Sequence, residues 1–253
     1  MESEGWYTTA ELMRAAQAGD FDILLHAVSR SKRVSASLTD KDGISLLHYA
    51  AQENRNAVGS LLIKTGASLD LEDGLRGETP LHWAVRRRHY RFMEMVITRG
   101  ADVNAKSRHE GWTPLHIACQ MGDLRLMLFL LFYDADPNQQ DHHGNTPLLW
   151  LVKASARLQY QRDSGIVMES VDKSFQLIHQ MIDLLLYAGT DTALPDSVYN
   201  NTALHIISWQ ASFDSILAFK IYLSGKQSVK MMNTDGRTPR QICIDTKNNK
   251  MKV

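Results

Sequence analysis

Gly111-Trp112-Thr113-Pro114-Leu115-His116-Ile117-Ala118-Cys119 reads as a turn, a cap and a helix start. Gly111 takes the positive φ that closes a turn. The Thr113 hydroxyl oxygen accepts a backbone N–H from the first helical turn. Pro114 stands at the first helical position, where its missing N–H costs nothing. Leu115 and Ala118 face inward, and Ala118 is small enough for a second helix to approach closely. The unit recurs as Thr79-Pro80-Leu81-His82 before it and Thr146-Pro147-Leu148 after it. Weaker copies lie at Ser45-Leu46-Leu47-His48, Thr202-Ala203-Leu204-His205 and Thr238-Pro239.

The spacing is regular. Histidines 48, 82 and 116 are 34 residues apart, and Gly111 and Gly144 are 33 apart. A Thr-Pro-Leu-His-x-Ala unit at this period resembles the ankyrin-repeat family from about residue 9 onward. The resemblance implies an all-α fold class: a solenoid of about seven helix-turn-helix units joined by β-hairpin loops. A single repeat domain is expected over 1–253, with units at 9–38, 39–72, 73–106, 107–140, 141–195, 196–231 and a cap at 232–253.

Each unit has its own departures. In the first, LMRAAQAGD aligns with LHIACQMGD, which sets Met13 at the motif histidine and Leu12, Ala15, Ala16 and Gly19 on the first helix. Phe21, Ile23, Leu24, Leu25 and Val28 are the expected apolar face of the second helix. Residues 1–8 read as a lead-in whose Trp6 and Tyr7 fold back on it. Asp134 and Asn200 stand where other units have Gly, and both types tolerate left-handed backbone. The fifth unit is long: 36 residues separate Leu149 from Leu185, where 14 separate His116 from Leu130. The excess marks a helical insertion over about 153–174, with a turn at Arg162-Asp163-Ser164-Gly165. Val171, Phe175, Ile178, Ile182 and Leu185 keep helical spacing, so the second helix should reach back to about residue 168. In the last unit Arg240 and Gln241 replace Leu-His, giving the polar face of a cap.

Composition narrows the function classes. Lys plus Arg and Asp plus Glu are 28 each, without the basic excess of a nucleic-acid binder. Cys119 and Cys243 fall in expected helices and read as two buried thiols of a reducing compartment, cytoplasmic or nuclear. The N-terminus has no apolar signal core. The longest apolar run, Leu126–Tyr133, falls far short of the roughly 20 residues a membrane span needs. No phosphate loop, nucleophile elbow or carboxylate pair is present, so a non-enzymatic monomer without catalytic residue, cofactor or metal is expected. His109 with Asp141-His142-His143 lacks the four N or S ligands of a zinc site. The motif histidines, by the resemblance, bond to their own Thr and to neighbouring backbone.

The candidate partner-binding residues are Trp83, Arg86, Arg87, Trp112, Met121, Tyr199 and Trp209. In an ankyrin array the hairpin tips and first helices line a concave surface. Trp112 follows a turn glycine and points into it, and tryptophan is a favoured interface anchor. Tyr49, Trp83 and Trp150 share one partly buried helix position. Arg86-Arg87-Arg88-His89-Tyr90-Arg91 is either a solvated helix end or a dock for an acidic or phosphorylated partner. DKDGISLLHYAAQENR, RGETPLHWAVRRRH, NTPLLWLV and NNTALH also resemble the N-terminal ankyrin domains of DHHC-type palmitoyltransferases. That likeness implies substrate recruitment through a short apolar peptide ending in Gln-Pro, held by a Trp matching Trp83. The family's Asn falls on Glu53 here. The zinc-binding catalytic domain has no counterpart: Gly144, not cysteine, follows Asp141-His142-His143. The expected function is a scaffold binding a protein or extended peptide. The alternative is a regulator or inhibitor of an enzyme or transcription factor whose specific contact is the helical insertion.

Overall fold

The computed structural model describes residues 7–30, 38–163, 169–209 and 215–250. The chain divides into two compact units, residues 1–117 and 118–253. Among the described residues it is helical, with no strand; one bridge joins Thr39 and Ser45. No described helix is long and apolar enough to cross a membrane.

The first unit stacks helical pairs: α1 (Thr9–Ala18) with α2 (Phe21–Arg30), α3 (Leu46–Gln52) with α4 (Asn56–Lys64), and α5 (Pro80–Arg87) with α6 (Tyr90–Ile97). Helix α1 packs on α3 and α3 on α5, while α2 packs on α4 and α4 on α6. Two rows result. The first row closes over small side chains: Ala15, Ala16, Ala50, Ala51 and Ala84 are all buried. The second row supplies bulk through Leu24, Leu62, Phe92 and Met93, each contributing about 1.5–3 kcal/mol by leaving water. The hairpins stack as closely as the helices. A Cβ on Gly77 would strike the Arg108 side chain and come within 2.7 Å of its backbone nitrogen. Gly77 also holds φ at 65°, so only glycine fits.

Helix α7 (Pro114–Gln120) follows. The second unit then contains α8 (Leu124–Phe132), α9 (Pro147–Asp163), α10 (Glu169–Tyr187), α11 (Ala203–Ser208), α12 (Ser215–Ser224), a 3-10 turn at Lys226–Lys230, and α13 (Pro239–Lys250). Here α9 packs on α11 and α11 on α13, with α8, α10 and α12 forming the second row. The insertion lengthens both helices of its pair, to 17 residues in α9 and 19 in α10. Met181, Ile182 and Leu185 of α10 are buried, and Phe175 and Ile178 half-buried. Asp134 and Asn200 take the left-handed backbone expected of them, at φ 61° and 55°.

Several expectations need correction. Helix α1 begins two residues before the position the alignment implies, because Thr8 and Glu11 form a reciprocal cap. Glu11 therefore takes the capping role that the motif histidine has elsewhere, while Met13, buried as His82 is and likewise six residues before a left-handed residue, keeps the place the alignment gives it. Phe21 and Leu25 are exposed, and α2 buries Leu24, Ala27 and Val28. Tyr7 does fold back, edge-on to His26 at 5.9 Å; Trp6 lies outside the described residues. Arg162 and Asp163 end α9 rather than form a turn, and Ser164 and Gly165 lie outside the described residues. Cys119 is buried and its thiol is pushed far up by burial. Cys243 is only half-buried.

Candidate functional site

The motif histidines fix the frame on which surface residues stand. In α5, His82 Nδ1 accepts the Thr79 backbone N–H at 3.2 Å and lies 2.9 Å from its hydroxyl. Its Nε2 lies 3.0 Å from the Trp112 carbonyl oxygen. A carbonyl only accepts, so Nε2 carries the proton and the ring is the neutral tautomer. His48 repeats this with Ser45 and the Glu78 carbonyl, and His205 with Thr202 and the Arg237 carbonyl. Each histidine thus caps its own helix and ties it to the next hairpin. Burial holds His48, His82 and His205 below the usual imidazole pKa. A proton added at Nδ1 would also face the N–H that it now accepts.

A second recurring device fixes the aromatic side chains. At three hairpins an opening aspartate accepts from the aromatic nine or ten residues later. Tyr49 Oη donates to Asp40, Trp83 Nε1 to Asp73 and Trp150 Nε1 to Asp141, at 2.7, 2.7 and 2.9 Å. The other Asp73 oxygen accepts the backbone N–H groups of Leu75, Arg76 and Gly77. Burial alone would raise the Asp73 carboxyl; the N–H donors of Arg76 and Trp83 outweigh it and hold it below the usual range. Asp141 behaves alike, burial being outweighed by Trp150 and Asn145. Tyr49 is pushed up to about 12, first by burial and then by Asp40. Asp141 is thereby committed to its turn. His109, His142 and His143 are exposed, and no group of metal-binding side chains occurs among the described residues.

These devices border a groove of about 290 Å³ in the first unit, lined by Gln52, Asp73, Leu75, Trp83, Arg86 and Arg87, among others. Trp83 is half-buried and packs edge-on to His48 and Tyr49 at 5.4 and 6.5 Å. Arg86 is clamped: its Nε lies 3.0 and 3.1 Å from the two oxygens of Glu78, and its Nη2 also donates to Oε1. Glu78 is 4 % exposed, so this pair is far more rigid than a surface one. Above it the guanidinium carbon stands 6.0 Å from the Trp112 ring, within cation–π range. Arg87, Arg76 and Leu75 are exposed at the mouth.

The expected site residues therefore separate. Trp83, Arg86 and Arg87 share the groove, and Trp112 stands beside Arg86. Trp112 is half-buried rather than an exposed anchor, with its backbone N–H held by Ser107 Oγ and its carbonyl taken by His82. The arginine run is likewise not one solvated helix end. Arg86 is paired, Arg88 turns the chain at φ 58°, and His89 Nδ1 bonds the Ala51 carbonyl, while Arg87 and Arg91 are exposed. In the second unit Met121 is half-buried just after α7, and Tyr199 and Trp209 are 59 % and 55 % exposed. Asp73, Leu75, Arg76 and Glu78 were not anticipated. The Asp-to-aromatic spacing could have revealed Asp73.

Compared with known families, residues 12–107 match a family model described as ankyrin repeats in three copies, and residues 110–142 match one described as ankyrin repeat. No curated protein matches the chain.

Proposed function

Because the chain belongs to the ankyrin-repeat family, whose repeats are protein-interaction modules, we propose that it binds an extended peptide in the groove of its first unit. The observation that carries this reading is the rigid Trp83–Arg86 platform beside exposed Arg87 and Arg76. Trp83 is oriented by Asp73, and Arg86 by Glu78. A peptide loses less entropy on a surface whose side chains are already fixed. Glu78 neutralises Arg86, so an acidic or phosphorylated residue of the partner pairs with Arg87 and Arg76, while an apolar neighbour lies on Trp83 and Leu75. Trp112 acts from behind, by supporting Arg86. Met121, Tyr199 and Trp209 offer further contacts in the second unit.

Selection from a displayed random peptide library tests this. Enriched peptides should carry an acidic residue next to an apolar one, and Arg87→Glu should lower their affinity by about tenfold. Peptides selected without acidic bias, and bound equally by Arg87→Glu, would reject the reading. Recruitment of a substrate protein, as in the palmitoyltransferase ankyrin domains, is a special case; its Gln-Pro peptide would appear in the same selection.

A second reading, in which the protein regulates an enzyme or transcription factor, rests on the insertion. The long α9 helix presents Tyr160, 74 % exposed. Deleting residues 155–172 would then abolish partner binding while leaving the groove peptides bound.

A further inference from the structure

The second unit has an apolar surface that the groove reading does not use. Helix α8, LRLMLFLLF, is apolar at every position except Arg125. Its inner side chains Leu126, Met127 and Leu130 are fully buried. Its outer side chains should then be polar, yet Leu128 is 49 % and Phe132 79 % exposed. Beside them Tyr187 of α10 is 93 % exposed. Leu128, Phe129, Leu131 and Phe132 face Leu184 and Tyr187 across a groove of about 590 Å³. Phe132 packs edge-on to Tyr133 at 5.2 Å, and Tyr133 packs on Phe129 at 4.8 Å. The exposed aromatic is thus held in place rather than swinging freely. Contiguous exposed apolar side chains of this size mark an interaction surface.

The charges at its rim identify what covers it. Arg125 opens α8 and Asp134 follows its end, and both are exposed. Their midpoint falls between Phe129 and Leu130. The midpoint of the exposed pair Leu128 and Phe132 is residue 130. Two copies of α8 laid antiparallel about this centre bring Leu128 and Phe132 of one against the apolar side chains of the other. The same register sets each Arg125 against the Asp134 of the other copy. A two-fold interface must be self-complementary in this way. Asp183 of α10 and Lys220 of α12 already pair with each other at 2.7 Å. We propose that this face is the two-fold contact of a homodimer, with α8 antiparallel to α8 and Phe132 seated in the groove between α8 and α10 of the other copy. The proposal sets a dimer through α8 against the monomer expected from the sequence.

Sedimentation equilibrium of the full chain over about 1–100 µM tests it, the range in which a contact of this kind is populated. The unaltered protein should approach a dimer at the upper end. Phe132→Glu and Leu128→Gln should each weaken it by about tenfold or more, with the helical circular dichroism unchanged, since both side chains face solvent. The decisive arm exchanges charges. Arg125→Asp alone sets two acids together, and Asp134→Arg alone sets two bases together, so each is monomeric. Arg88 already sits at φ 58° in this chain, so arginine is tolerable in the backbone conformation of residue 134. Mixing the two single variants restores both ion pairs and should restore dimer. A protein that stays monomeric throughout overturns the proposal. So does a dimer indifferent to all four substitutions, or single variants that fail to pair when mixed. Binding of neutral phosphatidylcholine vesicles through Phe132 by a chain that remains monomeric would assign the face to a lipid surface instead.

Discussion

The two units use one repeat differently. In the first, His48 and His82 each join a helix cap to the next hairpin without interruption. In the second, Leu149 takes the histidine position of α9, and Gln241 takes it in α13, so only His205 makes the double connection. The second unit compensates with a charge. Lys153 Nζ reaches Asn145 in its own repeat and Asp196 in the next, at 2.5 and 3.0 Å. Arg86 stands at the corresponding place in the first unit, eight residues after Glu78, but its hydrogen bonds to Glu78 stay within its own repeat, and it meets the next one through the Trp112 ring. The outer surfaces differ too. Exposed positions on α4 and α6 include Lys64, Arg91 and Glu94, whereas α8 and α10 expose Leu128, Phe132 and Tyr187. Once a repeat satisfies its backbone and core, its remaining positions diverge, and there one unit acquires a charged groove and the other an apolar face.

Removing a linking histidine is the strongest way to break this contrast. His82→Ala deletes a buried ring that makes bonds to two repeats. The lost hydrogen bonds and the cavity should cost about 2–4 kcal/mol. Urea unfolding followed by hydrogen exchange should show the loss concentrated in residues 73–117. An equal loss in both units would mean that the histidines are not the local ties described here.

Acid should sharpen the same contrast. The folded-state pKa values of His48 and His82 lie below the unfolded value, so between the two the unfolded chain binds more protons. Stability is then full above about pH 6.5 and falls as pH drops below it, by about 1.4 kcal/mol per pH unit for each histidine until its folded pKa is reached. His48 and His82 both lie in the first unit, which should therefore lose protection faster between pH 6.5 and 5.5 than the second, where His205 is the histidine held below its usual value among the described residues. Hydrogen exchange at the two pH values measures it, and a flat profile in the first unit would show that the rings are not held neutral. Asp73 and Asp141, held below the usual carboxylate range, act only at lower pH, their contribution disappearing as pH falls through their folded values.

Much of this architecture is legible in the residues. The period, the Thr-Pro caps, Asp134 and Asn200 at left-handed positions, and the backward extension of α10 all follow from local rules. Local rules also explain two misreadings. The alignment of the first repeat hid the Thr8-x-x-Glu11 box, a stronger start signal than similarity to later repeats. Phe21 and Leu25 looked buried because an apolar stripe was assumed wider than the face α2 presents. The groove was less legible. Glu78 precedes the cap of α5, so its contact with Arg86 follows no helical spacing. Trp112 is covered by a side chain from 26 residues earlier. Such contacts depend on stacking one repeat upon another, which spacing within a repeat does not encode.

The aromatic devices allow a milder test. Trp83→Phe leaves a smaller aromatic ring in place and removes the indole N–H that donates to Asp73. One hydrogen bond to a partly buried carboxylate should cost about 1.5–3 kcal/mol at most. Arg87 is untouched, so acidic groove peptides should lose less affinity than with Arg87→Glu. If Trp83→Phe proves the more damaging to binding, the indole N–H serves the ligand rather than the turn.

The smallest effect should come from Gln241, and it separates the two jobs of the motif histidine. Gln241 Oε1 accepts the Thr238 backbone N–H at 2.8 Å, as His82 Nδ1 accepts that of Thr79 at 3.2 Å. No carbonyl of a further repeat meets it among the described residues. Gln241→His should therefore leave stability within about 0.5 kcal/mol, as an exposed substitution that preserves its cap does. The reciprocal change, His82→Gln, keeps the cap but loses the bond to the Trp112 carbonyl, and should cost more by roughly the 1–3 kcal/mol of leaving a buried acceptor unsatisfied. The difference between these two substitutions isolates the tie between repeats from the cap within one. If they cost the same, the histidine serves its own helix alone, and the contrast between the units must come from their cores.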